Sequence, residues 1–253
     1  MAAHTRPLSN RGLLNYKQPP GGRCDRLAVT TPVARSPRVS NSPFLEAHLR
    51  KLIEGHQRFL AEAFPERRDQ FHLLAEGQQP ETLFVTCADS RIVPDLILQS
   101  QPGDLFICRN AGNVIPRAGE PAGGVSATIE YAVEVLRVRH LIVCGHSDCG
   151  VIRALMAPHA LDGLTSVQDW LQHVEPAWSF VDEVERHAGE LTRHTTLTHA
   201  NVLAQLENLR THGYIQNAEA EGRLQIHGWY YDILSGRIER YDEQQKRFVP
   251  LLG

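Results

Sequence analysis

No apolar run in the 253 residues approaches the roughly 20 that a membrane-crossing helix needs, so no membrane partner is expected. No signal-peptide pattern is present either. Cysteine is scarce: five residues, an odd number, and no second pair at zinc-finger spacing. That fits a reducing compartment, the cytoplasm, better than a disulfide framework. A strong excess of one charge is also missing. The formal net charge of −3 argues against a general nucleic-acid binder. There are no internal repeats. What is present is 42% hydrophobic residues, enough for the core of one large domain or two small ones.

One stretch lacks acids. Residues 1–43 carry Arg6, Arg11, Lys17, Arg23, Arg26, Arg35 and Arg38 against the single acid Asp25. Prolines and glycines interrupt it and no period survives, so it reads as a disordered basic tail. A transit peptide, a mis-chosen start codon and a docking arm remain open. Residues 44–253 form the folded domain.

Asn41 or Ser42 is placed to cap a helix with Pro43 at its first position. Phe44, Leu45, Leu49, Leu52, Ile53, Phe59 and Leu60 keep helical spacing up to Phe64, and Pro65 should break it. A short helix follows over Glu66 to Glu76. Thr82 to Cys87 reads as a buried strand, Ile92 to Ser100 as a turn and short helix, and Asp104 to Arg109 as a strand. Gly123 to Arg137 reads as a helix. Leu141 to Cys144 is a strand, with Gly145 opening a turn, and Val151 to Met156 a helix. Asp162 to His187 is mostly helical, and Thr198 to His212 is an amphipathic helix. A strand over Leu224 to Asp232 turns at Ser235-Gly236 and returns over Ile238 to Tyr241. Strands alternating with helices argue for βαβ units: an α/β fold with a central, mostly parallel sheet flanked by helices.

Two stretches carry the chemistry. In Cys87-Ala88-Asp89-Ser90-Arg91, a backbone still extended past the strand end puts Cys87, Asp89 and Arg91 on one side. Arg91 can then grip the Asp89 carboxylate with two prongs. In the second stretch, His146 and Cys149 stand three residues apart at the start of a helix. Cys87, His146 and Cys149 together offer two thiolates and an imidazole, which suit zinc. Three protein ligands leave the fourth tetrahedral position free, the catalytic arrangement. Both stretches lie at C-terminal strand ends, where open α/β sheets place their sites. Zinc there lowers the pKa of bound water toward about 7, giving hydroxide at neutral pH. Next to a small apolar pocket it suits attack on an uncharged linear electrophile such as carbon dioxide. Asp89 accepts the hydrogen bond of that hydroxide, and Arg91 holds Asp89 off the metal. Cys108 and Cys144 read as core, Cys24 as irrelevant. His187, His194, His199 and His212 read as structural or solvated, and His227 as a core or interface residue.

CADSRIVP together with EYAVEVLRVRHLIVCGHSDCG resembles the paired signature of the β-class carbonic anhydrases, in their bacterial, plant-like branch. AEAFPERRDQF, QPGDLF, RNAGNVIP, GGVSATIEYAV and HGWYYD extend the likeness from about Phe44 to Leu252. The resemblance implies reversible hydration of carbon dioxide to bicarbonate, with one zinc ion per subunit on Cys87, His146 and Cys149. It gives Asp89 and Arg91 the roles just described. It implies a homodimer, often paired into tetramers, with an N-terminal helical arm wrapping the partner and a C-terminal hairpin extension. Gln78, Phe106, Ala111 and Tyr131 match positions that line the family's active site and carbon dioxide pocket, some from a neighbouring subunit. Within the family a tryptophan three residues before the first cysteine, with an arginine and a tyrosine, marks a closed state in which the aspartate binds zinc. Phe84 stands at the tryptophan's place, with Arg109 and Tyr231 matching the others. Phenylalanine has no indole N–H to donate, so the open state is expected, with Asp89 a fourth ligand only if Arg91 moves away. Two other readings are a hydrolase of carbon disulfide or carbonyl sulfide on the same site, and a non-catalytic zinc- or bicarbonate-binding module.

Overall fold

The computed structural model describes residues 47–121, 123–157 and 161–252. The expected tail of residues 1–43, the cap at Asn41 or Ser42 and Cys24 lie outside them. The chain divides into two units, Met1–Ala63 and Phe64–Gly253. The described part of the first is the helix Ala47–Arg58 followed by a π-helical turn, Phe59–Ala63. Leu49, Leu52 and Leu60 are exposed on it.

The second unit opens on a helical turn, Phe64–Glu66, that contains Pro65. Helical structure therefore does not stop at Pro65. In a first turn a proline's missing N–H has no partner to lose. The break falls at Arg67, and the next helix is Arg68–Glu76.

Six strands follow among the described residues: β1 (Thr82–Cys87), β2 (Leu105–Asn110), β3 (His140–His146), β4 (Gln225–Tyr231), β5 (Ile238–Asp242) and β6 (Arg247–Pro250). They form one sheet in the order β2-β1-β3-β4-β5-β6. The first four strands in that order are parallel, and β5 and β6 are antiparallel additions. β1 and β3 are buried almost throughout, as parallel strands covered on both faces are. Helices Pro94–Leu98 and Gly124–Glu130 make the first two crossovers. The second ends in a π turn, Tyr131–Val135, in place of the uninterrupted helix expected. None of the described helices is long and apolar enough to cross a membrane.

Between β3 and β4 run the helices Gly150–Met156, Thr165–Leu171, Val181–His187, Arg193–Arg210 and Gly213–Ala220. Arg193–Arg210 starts earlier than its apolar spacing suggested, because Thr192 accepts the N–H of Thr195 as a cap, worth about 1 kcal/mol. It is not a surface amphipathic helix. Its whole middle is buried, including the polar Asn201, Gln205 and Asn208. With Leu83, Val85, Leu141 and Val143 it builds the main core. Phe84, Ile142 and Cys144 point to the other face of the sheet, beside Leu98, Trp229 and Tyr231.

β3 corrects one expectation. Gly145 does not open a turn; the strand runs on through it to His146. A Cβ at Gly145 would sit 2.8 Å from Val202 Cγ2 and 3.2 Å from Thr198 Cγ2. The glycine lets the Arg193–Arg210 helix approach the strand closely. Two elements escaped the sequence reading. The Gly213–Ala220 helix buries only Ile215 and Ala218 and has no side-chain cap. β6 is four residues ending in proline, an edge strand with a weak signal.

Candidate metal centre

β1 ends at Cys87, and the chain does not stay extended beyond it. Ile92 N–H bonds the Asp89 carbonyl at 3.0 Å, closing a turn. Asp89 and Arg91 meet through this turn, not through strand alternation. Asp89 Oδ1 accepts the Arg91 backbone N–H at 2.9 Å and Nε at 3.0 Å, and Oδ2 accepts Nη2 at 2.7 Å. Arg91 also donates from Nη1 to Asp148 Oδ2 at 3.0 Å and from Nη2 to the Asp148 carbonyl at 3.1 Å. Arg153 holds the other Asp148 oxygen. Arg109, on β2, donates to the Cys87 carbonyl at 3.1 Å and the Asp89 carbonyl at 2.7 Å, which fixes the backbone between them.

β3 brings His146 to the same end of the sheet. Its Nδ1 lies 2.8 Å from the Ser147 carbonyl. A carbonyl only accepts, so Nδ1 carries the proton and Nε2 carries the lone pair. That Nε2 is fully buried and has no hydrogen-bond partner. Asp148 turns the chain in a left-handed conformation, φ 57°. Cys149 then opens the Gly150–Met156 helix. The ligand atoms of Cys87, His146 and Cys149 lie within 4.8 Å of one another, all three residues buried.

The electrostatics fit a cation. The Cys149 thiol, donating to Cys87, pulls the Cys87 thiol down to about 4, against the opposing effect of burial; the Gly112 N–H at 3.3 Å adds to it. Cys149 is correspondingly pushed up, by that same hydrogen bond and by burial. Arg91 holds the Asp89 carboxyl well below the usual range. Asp89 Oδ2 stands 4.0 Å from His146 Nε2, beside the three candidate ligands but facing Arg91. Cys108 and Cys144 are buried and uninvolved: burial pushes both thiols up, Cys144 to about 12.

The loop after β2 closes over Cys87 and is held by side chains that the sequence reading did not single out. Gln205 Oε1 accepts the Ile115 N–H at 2.7 Å. Asn208 Nδ2 donates to the Ile115 carbonyl at 3.0 Å, and Asn201 Nδ2 to the Gly112 carbonyl at 3.1 Å. Trp170 Nε1 donates to the Ala111 carbonyl at 2.7 Å. The available signal was Asn201, Gln205 and Asn208 recurring on one helical face, amides where an apolar stripe belongs.

The four expected pocket residues are placed differently. Ala111 sits in this loop beside Gly112. Phe106 pairs in register with Leu83, four positions before Cys87, about 13 Å along the strand. Tyr131 lies with Phe106, ring centroids 6.0 Å apart, and is half exposed. Gln78 is exposed on the loop that leads into the opposite end of β1. The chain does not gather these three around its own Cys87. Phe84 is buried with its ring edge-on to Trp229.

A family model for carbonic anhydrases matches residues 82–238. A carbonic anhydrase of Pseudomonas aeruginosa is 48% identical over 203 residues, 80% of this chain and 92% of that protein. Carbonic anhydrase 1 of Escherichia coli O157:H7 is 44% identical over the same shares. Among solved structures, the β-carbonic anhydrase CcaA superposes with a TM-score of 0.76 at 40% identity, covering 81% of this chain and 93% of that one. One of two tetrameric β-carbonic anhydrases from Sordaria macrospora gives 0.68 at 31% identity, covering 77% and 97%. Fold and site thus define an α/β protein with a Cys-His-Cys centre of the kind that suits zinc. The chain belongs to the β-class carbonic anhydrase family, whose reaction is the reversible hydration of carbon dioxide to bicarbonate and a proton.

Proposed function

We propose that Cys87, His146 and Cys149 hold one zinc ion and that carbon dioxide is hydrated beside it. The observation that carries this is His146 Nε2: a buried lone pair with no partner, set against two buried thiols. Two sulfurs and one nitrogen are a zinc donor set that leaves a fourth position open. A zinc ion there supplies the Lewis acid that brings water to nucleophilic strength near neutral pH.

The protein's own groups do the rest. Asp89, kept ionised by Arg91, can only accept a hydrogen bond; it takes one from the reacting water and aims the lone pair at carbon dioxide. Arg91, anchored also to Asp148, keeps Asp89 off the metal, which is the open state. Asp89 becomes a fourth ligand only if that grip is lost. Ala111 lines the pocket from its own chain. Gln78, Phe106 and Tyr131 serve the site of a second copy, since they stand away from the ligands of their own. This supports a homodimer or homotetramer, as does the likeness to proteins described as tetrameric. The free, buried thiols of Cys87, Cys108, Cys144 and Cys149 support a cytoplasmic setting.

Zinc analysis with stopped-flow hydration of carbon dioxide, on the wild type and on Cys149→Ala, tests the reading. The wild type should carry one zinc per chain and turn over. The variant should lose most of its zinc and all activity. Full zinc occupancy in Cys149→Ala sinks the assignment.

A further inference from the structure

The peptide joining Ala111 to Gly112 stands between an indole and a sulfur. Its carbonyl accepts the Trp170 Nε1–H at 2.7 Å, and its N–H donates to Cys87 Sγ at 3.3 Å. The N–H and C=O of one planar trans amide point in opposite directions. The two hydrogen bonds therefore run through the peptide as a chain, and bonds in such chains polarise one another.

The peptide cannot easily turn away. Asn201 grips the next carbonyl, that of Gly112, at 3.1 Å. The indole packs T-shaped against the His173 ring, centroids 5.4 Å apart. An indole N–H is a donor only, and here its acceptor is the Ala111 oxygen.

We infer that Trp170 is a positioning residue for the metal centre: through the Ala111–Gly112 peptide its indole N–H draws charge from the Cys87 sulfur. This rests on Cys87 being a metal ligand. Hydrogen bonds to ligand sulfurs and the partners behind them set how much charge a thiolate gives its metal. With the indole in place the thiolate gives less, and the metal is the stronger Lewis acid. Without it, activity should need a higher pH.

The test compares wild type, Trp170→Phe and Trp178→Phe in zinc and cobalt forms. Phenylalanine keeps a ring at position 170 and removes the N–H. Trp178 is 40% exposed and packs over Arg193, so its variant is the control. For Trp170→Phe the midpoint of kcat/KM against pH should rise by about 0.2–0.4 unit, roughly two-fold lower activity below the midpoint and none lost above it. The thiolate-to-cobalt charge-transfer band should move to longer wavelength. Trp178→Phe should move neither. If Trp170→Phe accumulates poorly, 5-fluorotryptophan in the wild type and in Trp178→Phe strengthens the donor and should shift both readouts the opposite way. Equal activity loss at every pH with an unmoved band would show packing alone and overturn the inference, as would no change at all. A wild type that takes up no cobalt removes the ligand reading, and the inference with it.

Discussion

Gln205 Oε1 and the backbone N–H of Ile115 lie 2.7 Å apart, with a sequence separation of 90. The same side chain donates to the His173 carbonyl at 3.1 Å and to Asn201 Oδ1 at 3.0 Å. One buried amide thus ties the loop over Cys87 to two other parts of the fold.

Gln205→Leu strands the Ile115 N–H and loosens Asn201. Each buried group left unsatisfied costs about 1–3 kcal/mol, so the variant should lose on the order of 3 kcal/mol of stability. Urea unfolding measures it. A loss under about 1 kcal/mol would mean the loop holds itself and the amide is incidental.

Gly112→Ala meets two obstacles, the positive φ and Val151. Strain of this kind amounts to about 1–3 kcal/mol. Adding Val151→Ala should restore the part due to the clash and leave the part due to φ. If the double variant is no more stable than Gly112→Ala, the contact with Val151 is not what excludes a side chain.

Asp89 and Arg91 should behave as one unit. Asp89→Asn should keep its metal and lose roughly 10²-fold in kcat/KM, the scale of one well-placed polar group at a reacting centre. Arg91→Ala should be comparably damaged. The double variant should be no worse than the poorer single. Losses that multiply in stopped-flow assays would separate the two roles.

His199 predicts a pH effect on stability. It is buried between Tyr230 and Phe248, with Glu239 Oε2 at 3.6 Å, and burial pulls its pKa down to about 3. Folded, it stays neutral; unfolded, it takes a proton below about 6.5. A depressed imidazole pKa therefore removes stability as pH falls from about 6.5 toward 3, by at most about 1.4 kcal/mol per unit. His199→Phe should flatten that slope. Urea midpoints at pH 7.5 and pH 5 for both proteins decide it: equal slopes mean His199 is not the group responsible.

The parts of the fold visible in the sequence were those written locally. β1 and β3 are apolar runs whose ends place Cys87 and His146, and three residues more give Cys149. The Asp89–Arg91 contact was foreseen for the wrong reason: a turn makes it, and turn geometry beyond a strand end has no period to read. Gly145 was misjudged because close approach of a helix and a turn both ask for glycine. The clamp of Asn201, Gln205 and Asn208 was missed because its partners, Gly112 and Ile115, lie some 90 residues away. Trp170 looked like one more apolar helix residue. Its acceptor is a backbone oxygen, and backbone oxygens carry no sequence signal.

The separation of Phe106, Tyr131 and Gln78 from Cys87 has a consequence for genetics. Under the proposed exchange between copies, each working centre draws its ligands from one chain and part of its wall from another. Damage at Cys149 and damage at Gln78 then fall into different complementation groups. Chains carrying one lesion each, mixed in one assembly, rebuild a centre in which both contributors are intact, and two inactive parents yield an active hybrid.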